Sequence, residues 1–261
     1  MYLKTVTAFL LCLITGLLLC KGYQFRDKRM SDNRLVVSER EQYNTIFAIP
    51  LPAGYKRKEN PINSFAYWLQ QVKIKKDVTV YLFNGAKKNN QDAQFAVLDI
   101  SVGEKNLQQC ADAAMRLRAE YLFSQKQFDR ISFTDNDGGI YVFKPPYNRP
   151  RFDKYLQTVF GMCGTASLSK QMKAVTIKNI QPGDVLVRGG FPGHAVMVMD
   201  IAQNNAGEKI YLLAQSYMPA QDIHILKNPL NNASDPWYRL SDAFVIKTPE
   251  YSFTKNELKR W

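Results

Sequence analysis

Residues 181–200 read QPGDVLVRGGFPGHAVMVMD. Pro182-Gly183-Asp184 punctuates the chain, and Val185–Arg188 is a short β-forming run. A second cluster of glycine and proline follows, and His194 then opens an apolar run that ends on Asp200. The pattern predicts two successive strands joined by a glycine loop, with Gly193 allowing a sharp entry into the second. At a period of two, Val196, Val198 and Asp200 share the face of His194, whereas Ala195, Met197, Met199 and Ile201 take the other.

The β-rich character continues downstream. NNAGE at 204–208 is a turn, KIYLLAQSY at 209–217 a strand, and DAFVIKT at 242–248 a further strand in a loop-rich end. Upstream, NLQQCADAAMRLRAEYLFSQ at 106–125 has helical spacing. Leu107, Cys110, Ala114, Leu117 and Tyr121 form one stripe, with Asn106 as N-cap and Gln109 three residues on. INSFAYWLQQV at 62–72 is also helical, DVTVYLF at 77–83 alternates as a strand before an Asn84-Gly85 turn, and QFAVLDISVG at 94–103 is a second strand. RISFTDNDGGIYVF at 130–143 predicts a hairpin, because a calcium loop would need an acid where Pro146 stands. After the linker KPPYNRPR, residues 152–172 predict a helix and a turn. A cysteine-bearing helix followed by an antiparallel sheet is an α+β order, with an N-terminal embellishment.

The N-terminus differs in kind. One lysine and the apolar run TVTAFLLCLITGLLLC predict a signal peptide or anchor over 1–22, a charged tether over 23–43 and a single α+β domain over 44–261. Cys20 ends the apolar run and is a lipidation candidate. The expectation is an exported protein, periplasmic or associated with the cell envelope, touching membrane only through this anchor or a lipid. With 46% apolar and 12% aromatic residues the chain can bury a full core, which excludes disorder for most of it. Losing Lys4 and Lys21 lowers the net charge from +12 to near +10, suited to anionic envelope material. The basic residues are scattered rather than striped with aromatics, so no nucleic-acid partner is expected.

The chemistry rests on few residues. Outside the signal the chain has Cys110 and Cys163, a disulfide or one reactive thiol and a bystander. A nucleophilic cysteine needs its pKa lowered, and a helix N-terminus with an imidazole does that. Cys110 has the first and His194 offers the second. Gln215, at the end of the next strand, is the first choice to orient the imidazole, with Asp200 the alternative. Gln109 or a helix-start amide is the oxyanion candidate, and Tyr217 and Trp237 are substrate-binding candidates. His224, between Ile223 and Ile225, is expected on an exposed strand face. Neither histidine has further ligands nearby, so no metal site and no cofactor is expected.

IQPGDVLVRGG and PGHAVMVMD together resemble the segment of papain-like peptidoglycan hydrolases of the NlpC/P60 and amidase (CHAP) type in which a Pro-Gly-Asp turn enters one strand and Gly-His opens the next. Those families place the nucleophilic cysteine earlier, at a helix start, and a third polar residue on the strand after the histidine. Cys110, His194 and Gln215 follow that order, with Cys163 in GMCGTASL the alternative nucleophile. At greater length, LQQCADAAMRLRAEYL, PGHAVMVMD and LAQSYMPAQDIHILKNP resemble the domain-of-unknown-function 4846 family of bacterial exported proteins. The first resemblance implies a papain-like fold and a cysteine amidase or endopeptidase acting on cell-wall peptide or another envelope amide. The alternative is a non-catalytic envelope binding or structural protein that keeps the same fold.

Overall fold

The computed structural model describes residues 43–231 and 235–261. The expected signal segment, Cys20 and the tether as far as residue 42 lie outside the described residues. Among those described, the helices are α1 (Phe65–Gln70), α2 (Cys110–Ser124), α3 (Arg149–Met162) and α4 (Thr165–Gln171). The strands are β1 (Tyr55–Arg57), β2 (Gln94–Val97), β3 (Ser132–Thr134), β4 (Ile140–Val142), β5 (Lys173–Ala174), β6 (Val185–Arg188), β7 (His194–Asn204) and β8 (Lys209–Gln215). They are followed by β9 (His224–Leu226), β10 (Tyr238–Arg239), β11 (Val245–Lys247), β12 (Ser252–Thr254) and β13 (Leu258–Arg260). The fold is α+β, built on an antiparallel sheet of order β2-β9-β8-β7-β6-β13-β5, with β1 also pairing with β7 and β10 with β8. Two hairpins, β3–β4 and β11–β12, stand apart from it. Among the described residues no helix is long and apolar enough to cross a membrane.

The strand predicted from His194 is the long β7, buried on both faces. Ala195, Met197 and Met199 enter the larger core with Leu117 and Met115 of α2, while Val196 and Val198 enter a second core with Leu213, Phe253 and Leu258. Burial of this kind contributes about 1.5–3 kcal/mol for each large side chain, and it explains why the run is apolar throughout rather than alternating with polar residues.

The period of two breaks between Val198 and Asp200, where the register with β8 shifts. This bulge returns Asp200 to the larger-core side, opposite Leu212, and sends Ile201 to the smaller core. Asp200 is therefore not on the face of His194. It is fully buried, accepting 2.6 Å from Arg57 Nε and 2.9 Å from Gln70 Nε2, and it joins β1 and α1 to the sheet.

The Pro-Gly-Asp turn works as a clamp. Gly183 takes φ +91°, and a Cβ there would collide with the ring of Phe65. Asp184 accepts from Gln181 N at 2.9 Å and takes the Arg260 guanidinium on both carboxylate oxygens at 2.6 and 2.8 Å, tying the last strand to the entry of β6. Gly193 has a different reason from the one expected. Its φ is ordinary, but a Cβ would run into Thr165 Oγ1 and the Gly190 carbonyl.

Elsewhere the sequence expectations need adjustment. Residues 77–83 form isolated bridges, Tyr81 with Lys87 and Leu82 with Gln221, rather than a strand. The residue 152–172 segment is two helices. Helix α2 begins at Cys110, with Gln109 as N-cap and Asp112 Oδ2 accepting from Gln109 N at 2.9 Å. Asn106 lies outside the helix and accepts instead from Ala220 N at 2.8 Å. Removing the buried acid at 200 leaves Arg57 and Gln70 facing it unpaired. Asp200→Ala is expected to cost about 3 kcal/mol in urea unfolding, the penalty of breaking a buried ion pair, with no change in the reactivity of Cys110 on the far side of the bulge.

Candidate functional site

The starts of α2 and β7 and the end of β8 place Cys110 and His194 at one cavity and Gln215 against His194, with no hydrogen bond between the cysteine and the histidine. Cys110 and His194 line one cavity of about 570 Å³, whose wall also includes Gln109, Cys163 and Tyr217. Phe191, Met162 and Met218 stand at this cavity exposed, Phe191 almost fully so.

His194 is 2% exposed. Its Nε2 lies 2.8 Å from Gln215 Oε1, the contact expected of an orienting residue. The ring is walled by Tyr217 at 4.6 Å, Tyr251 at 4.9 Å and Phe253 at 5.8 Å between centroids. Burial pushes the imidazole pKa down to about 4, against the opposing pull of Gln215 and Glu250, so the ring is neutral at physiological pH.

Cys110 is the first residue of α2, as its place in the sequence predicts, but its thiol is not activated in the way expected. Burial, and then the Asp112 carboxylate, push its pKa up to about 11. The amides of Ala111, Ala195 and Cys110 itself are directed to the sulfur and work against this rise without overcoming it. Cys163 caps the C-terminus of α3 and is also pushed up to about 11, by burial and then by Asp135 and Asp112. Both thiols are free. Asp112, which sequence reasoning missed, thus faces both; it is 4% exposed and its Oδ1 has no hydrogen-bond partner.

The remaining candidates divide. Gln109 and Tyr217 line the cavity. Trp237 does not: it is 2% exposed in the larger core, donates from Nε1 to the Pro50 carbonyl at 2.7 Å and lies under the Arg57 guanidinium. Asp200 is committed to Arg57 and Gln70. His224 is fully buried rather than exposed, because β9 is covered on both faces, with Ile223 and Ile225 in the larger core and Leu226 in the smaller.

Three further polar side chains surround Gln215. Its Nε2 donates to Glu250 Oε2 at 2.7 Å and lies 3.4 Å from His224 Nε2, and Lys88 Nζ holds the same Glu250 oxygen at 2.6 Å. Glu250 sits in the β11–β12 turn and Lys88 in a loop, neither at a spacing that ties it to His194. Only His224, which falls in register opposite Gln215 across β8 and β9, left a trace in the strand pattern.

Among the described residues no group of three or more His, Cys, Asp or Glu side chains is placed to hold a metal ion. No curated protein and no solved structure matches this chain. A family model does match, that of a domain of unknown function (4846), over residues 47–148 and 140–260, which together take in most of the sequence. The chain belongs to the domain-of-unknown-function 4846 family.

Proposed function

We propose that the chain is a cysteine hydrolase with a papain-like arrangement, cleaving an amide in cell-wall peptide or a related envelope polymer, and that its N-terminus directs it out of the cytoplasm. The observation that carries this reading is that Cys110, at a helix start, shares a cavity with His194, which Gln215 holds. The amide that follows His194, that of Ala195, is directed to the Cys110 sulfur. Cys163 shares the cavity but has no such link to the β7 start, which makes Cys110 the nucleophile of the reading.

The steps follow from the protonation states. His194 takes the thiol proton as the sulfur attacks the amide carbonyl, so a carbon–sulfur bond forms while the carbonyl oxygen gains charge. In this reading Gln109 or a helix-start amide receives that oxygen. His194 then returns the proton to the leaving nitrogen as the C–N bond breaks, and water releases the acyl group by the reverse order. With a thiol near 11 and an imidazole near 4, proton transfer accompanies attack instead of preceding it as a stable thiolate–imidazolium pair. The exposed Phe191, Met162 and Met218 at the cavity supply apolar surface for substrate.

The second reading, a non-catalytic envelope binding or structural protein, is favoured by the setting of Cys110, whose half-buried thiol is pushed up to about 11 by desolvation and then by Asp112. Digestion of purified peptidoglycan separates the two. The hydrolase releases soluble peptides seen by mass spectrometry, Cys110→Ala and His194→Ala lower the rate by about a thousandfold or more, and Cys163→Ser retains it. Equal release from wild type and Cys110→Ala would sink the assignment.

His194 serves as base only when neutral, so kcat/KM is lost as pH falls through about 4 and is full at neutral pH. Carbamidomethylation of Cys110 in the free protein reports thiolate alone. Its rate, followed by peptide mapping without prior reduction, is expected to climb about tenfold per unit between pH 7 and 9. A plateau in that range would mean a preformed thiolate.

A further inference from the structure

The buried polar groups behind Gln215 fix more than its position. Glutamine has one amide oxygen that accepts and one NH₂ that donates, and the two ends exchange places by a simple rotation. Gln215 would orient His194 with either end, but only one leaves the histidine useful to Cys110. The neighbours decide between them. Glu250, held by Lys88 at 2.6 Å, presents carboxylate oxygens that only accept, and the Gln215 atom 2.7 Å away must then be its NH₂. On the far side, His224 Nδ1 lies 2.9 Å from the Asp222 carbonyl, which also only accepts. His224 therefore carries its proton on Nδ1, and its bare Nε2, 3.4 Å from the same NH₂, takes the second amide hydrogen. With both hydrogens of the NH₂ assigned, Oε1 faces His194.

We infer that Glu250 and His224 are positioning residues that lock the Gln215 amide, and through it hold the proton of His194 on Nε2, leaving Nδ1 as the bare nitrogen. This inference rests on the hydrolase reading for its use, since a bare Nδ1 is what a base for Cys110 requires, but the proton positions stand on the geometry alone. Each end of the network is an obligate acceptor, an Asp222 carbonyl and a Glu250 carboxylate, so no alternative pattern satisfies every buried donor. His194 Nδ1 has no hydrogen-bond partner among the described residues.

The chain has only two histidines, which makes the test direct. Full-length protein labelled with ¹⁵N-histidine is expected to show two neutral imidazoles at pH 7 in opposite tautomers, His194 protonated on Nε2 and His224 on Nδ1, assigned by His224→Asn. Lys88 donates to the same oxygen at 250 as Gln215 does and would pin an amide there, so the test pairs Glu250→Gln with Lys88→Met, which lets the amide at 250 donate or accept and releases Gln215. The two His194 nitrogens should then shift toward each other as the tautomers mix, and kcat on peptidoglycan should fall roughly tenfold at unchanged KM. A purely structural role for Glu250 would leave the His194 shifts where they were. His194 protonated on Nδ1 in wild type, or shifts unmoved by Lys88→Met with Glu250→Gln, overturns the inference. The two readings also fail separately. Opposite tautomers without any hydrolysis uphold the relay and remove the hydrolase, whereas Cys110-dependent hydrolysis with His194 protonated on Nδ1 keeps the hydrolase and removes the relay.

Discussion

The double burial of β7 is the constraint on which the rest depends. A strand covered on both faces has to sort every side chain, and here it uses a bulge to do so. Up to Val198 the odd and even positions alternate between the two cores, and after the bulge the assignment is reversed. The two polar residues at the ends of the apolar run are thereby separated, His194 toward Gln215 and Asp200 toward Arg57 and Gln70. Had the alternation run unbroken, the aspartate would have entered the smaller core among Val196, Val198 and Leu213, without Arg57 to compensate its charge.

That separation explains what was legible in the sequence. The turn at Pro182-Gly183-Asp184, the strand from His194, the strand ending at Gln215 and the helix bearing Cys110 in its first turn all follow from local rules of periodicity and punctuation, and these segments bring the three residues together. The α+β class follows from the same order. What was not legible depends on packing. A bulge leaves no mark in an all-apolar run, so unbroken alternation puts Asp200 on the wrong face. Trp237 beside a proline suggests a cleft wall, yet its indole nitrogen is satisfied by the Pro50 carbonyl nearly two hundred residues earlier. His224 between isoleucines fits an exposed alternation as well as a buried one, and only the second cover on β9 decides. Glu250 and Lys88 reach the site from loops, where spacing carries no information about neighbours.

The protonation of the site also depends on packing. A helix N-terminus and an imidazole are the ingredients of an activated thiol, and the sequence contains both. Here the amides of Ala111, Ala195 and Cys110 do favour the thiolate, but desolvation of the sulfur and the Asp112 carboxylate beside it outweigh them. The thiol is pushed up to about 11 and the imidazole down to about 4, so both groups are neutral in the free protein at pH 7. A motif gives the identity of the groups, whereas burial sets their charge.

The choice of a glutamine next to His194 fits that electrostatic setting. A carboxylate in its place would favour imidazolium and keep the ring charged. A neutral amide orients the ring without supplying that charge. The negative charge is moved one side chain further out, to Glu250, where Lys88 pairs with it at 2.6 Å and Asn90 Nδ2 donates to its other oxygen at 3.2 Å. The carboxylate that fixes the amide is therefore itself compensated, as a buried charge must be. The price is a network with no spare acceptors, in which His224 must stay neutral. Its complete burial, which holds its pKa near 3, ensures that it does.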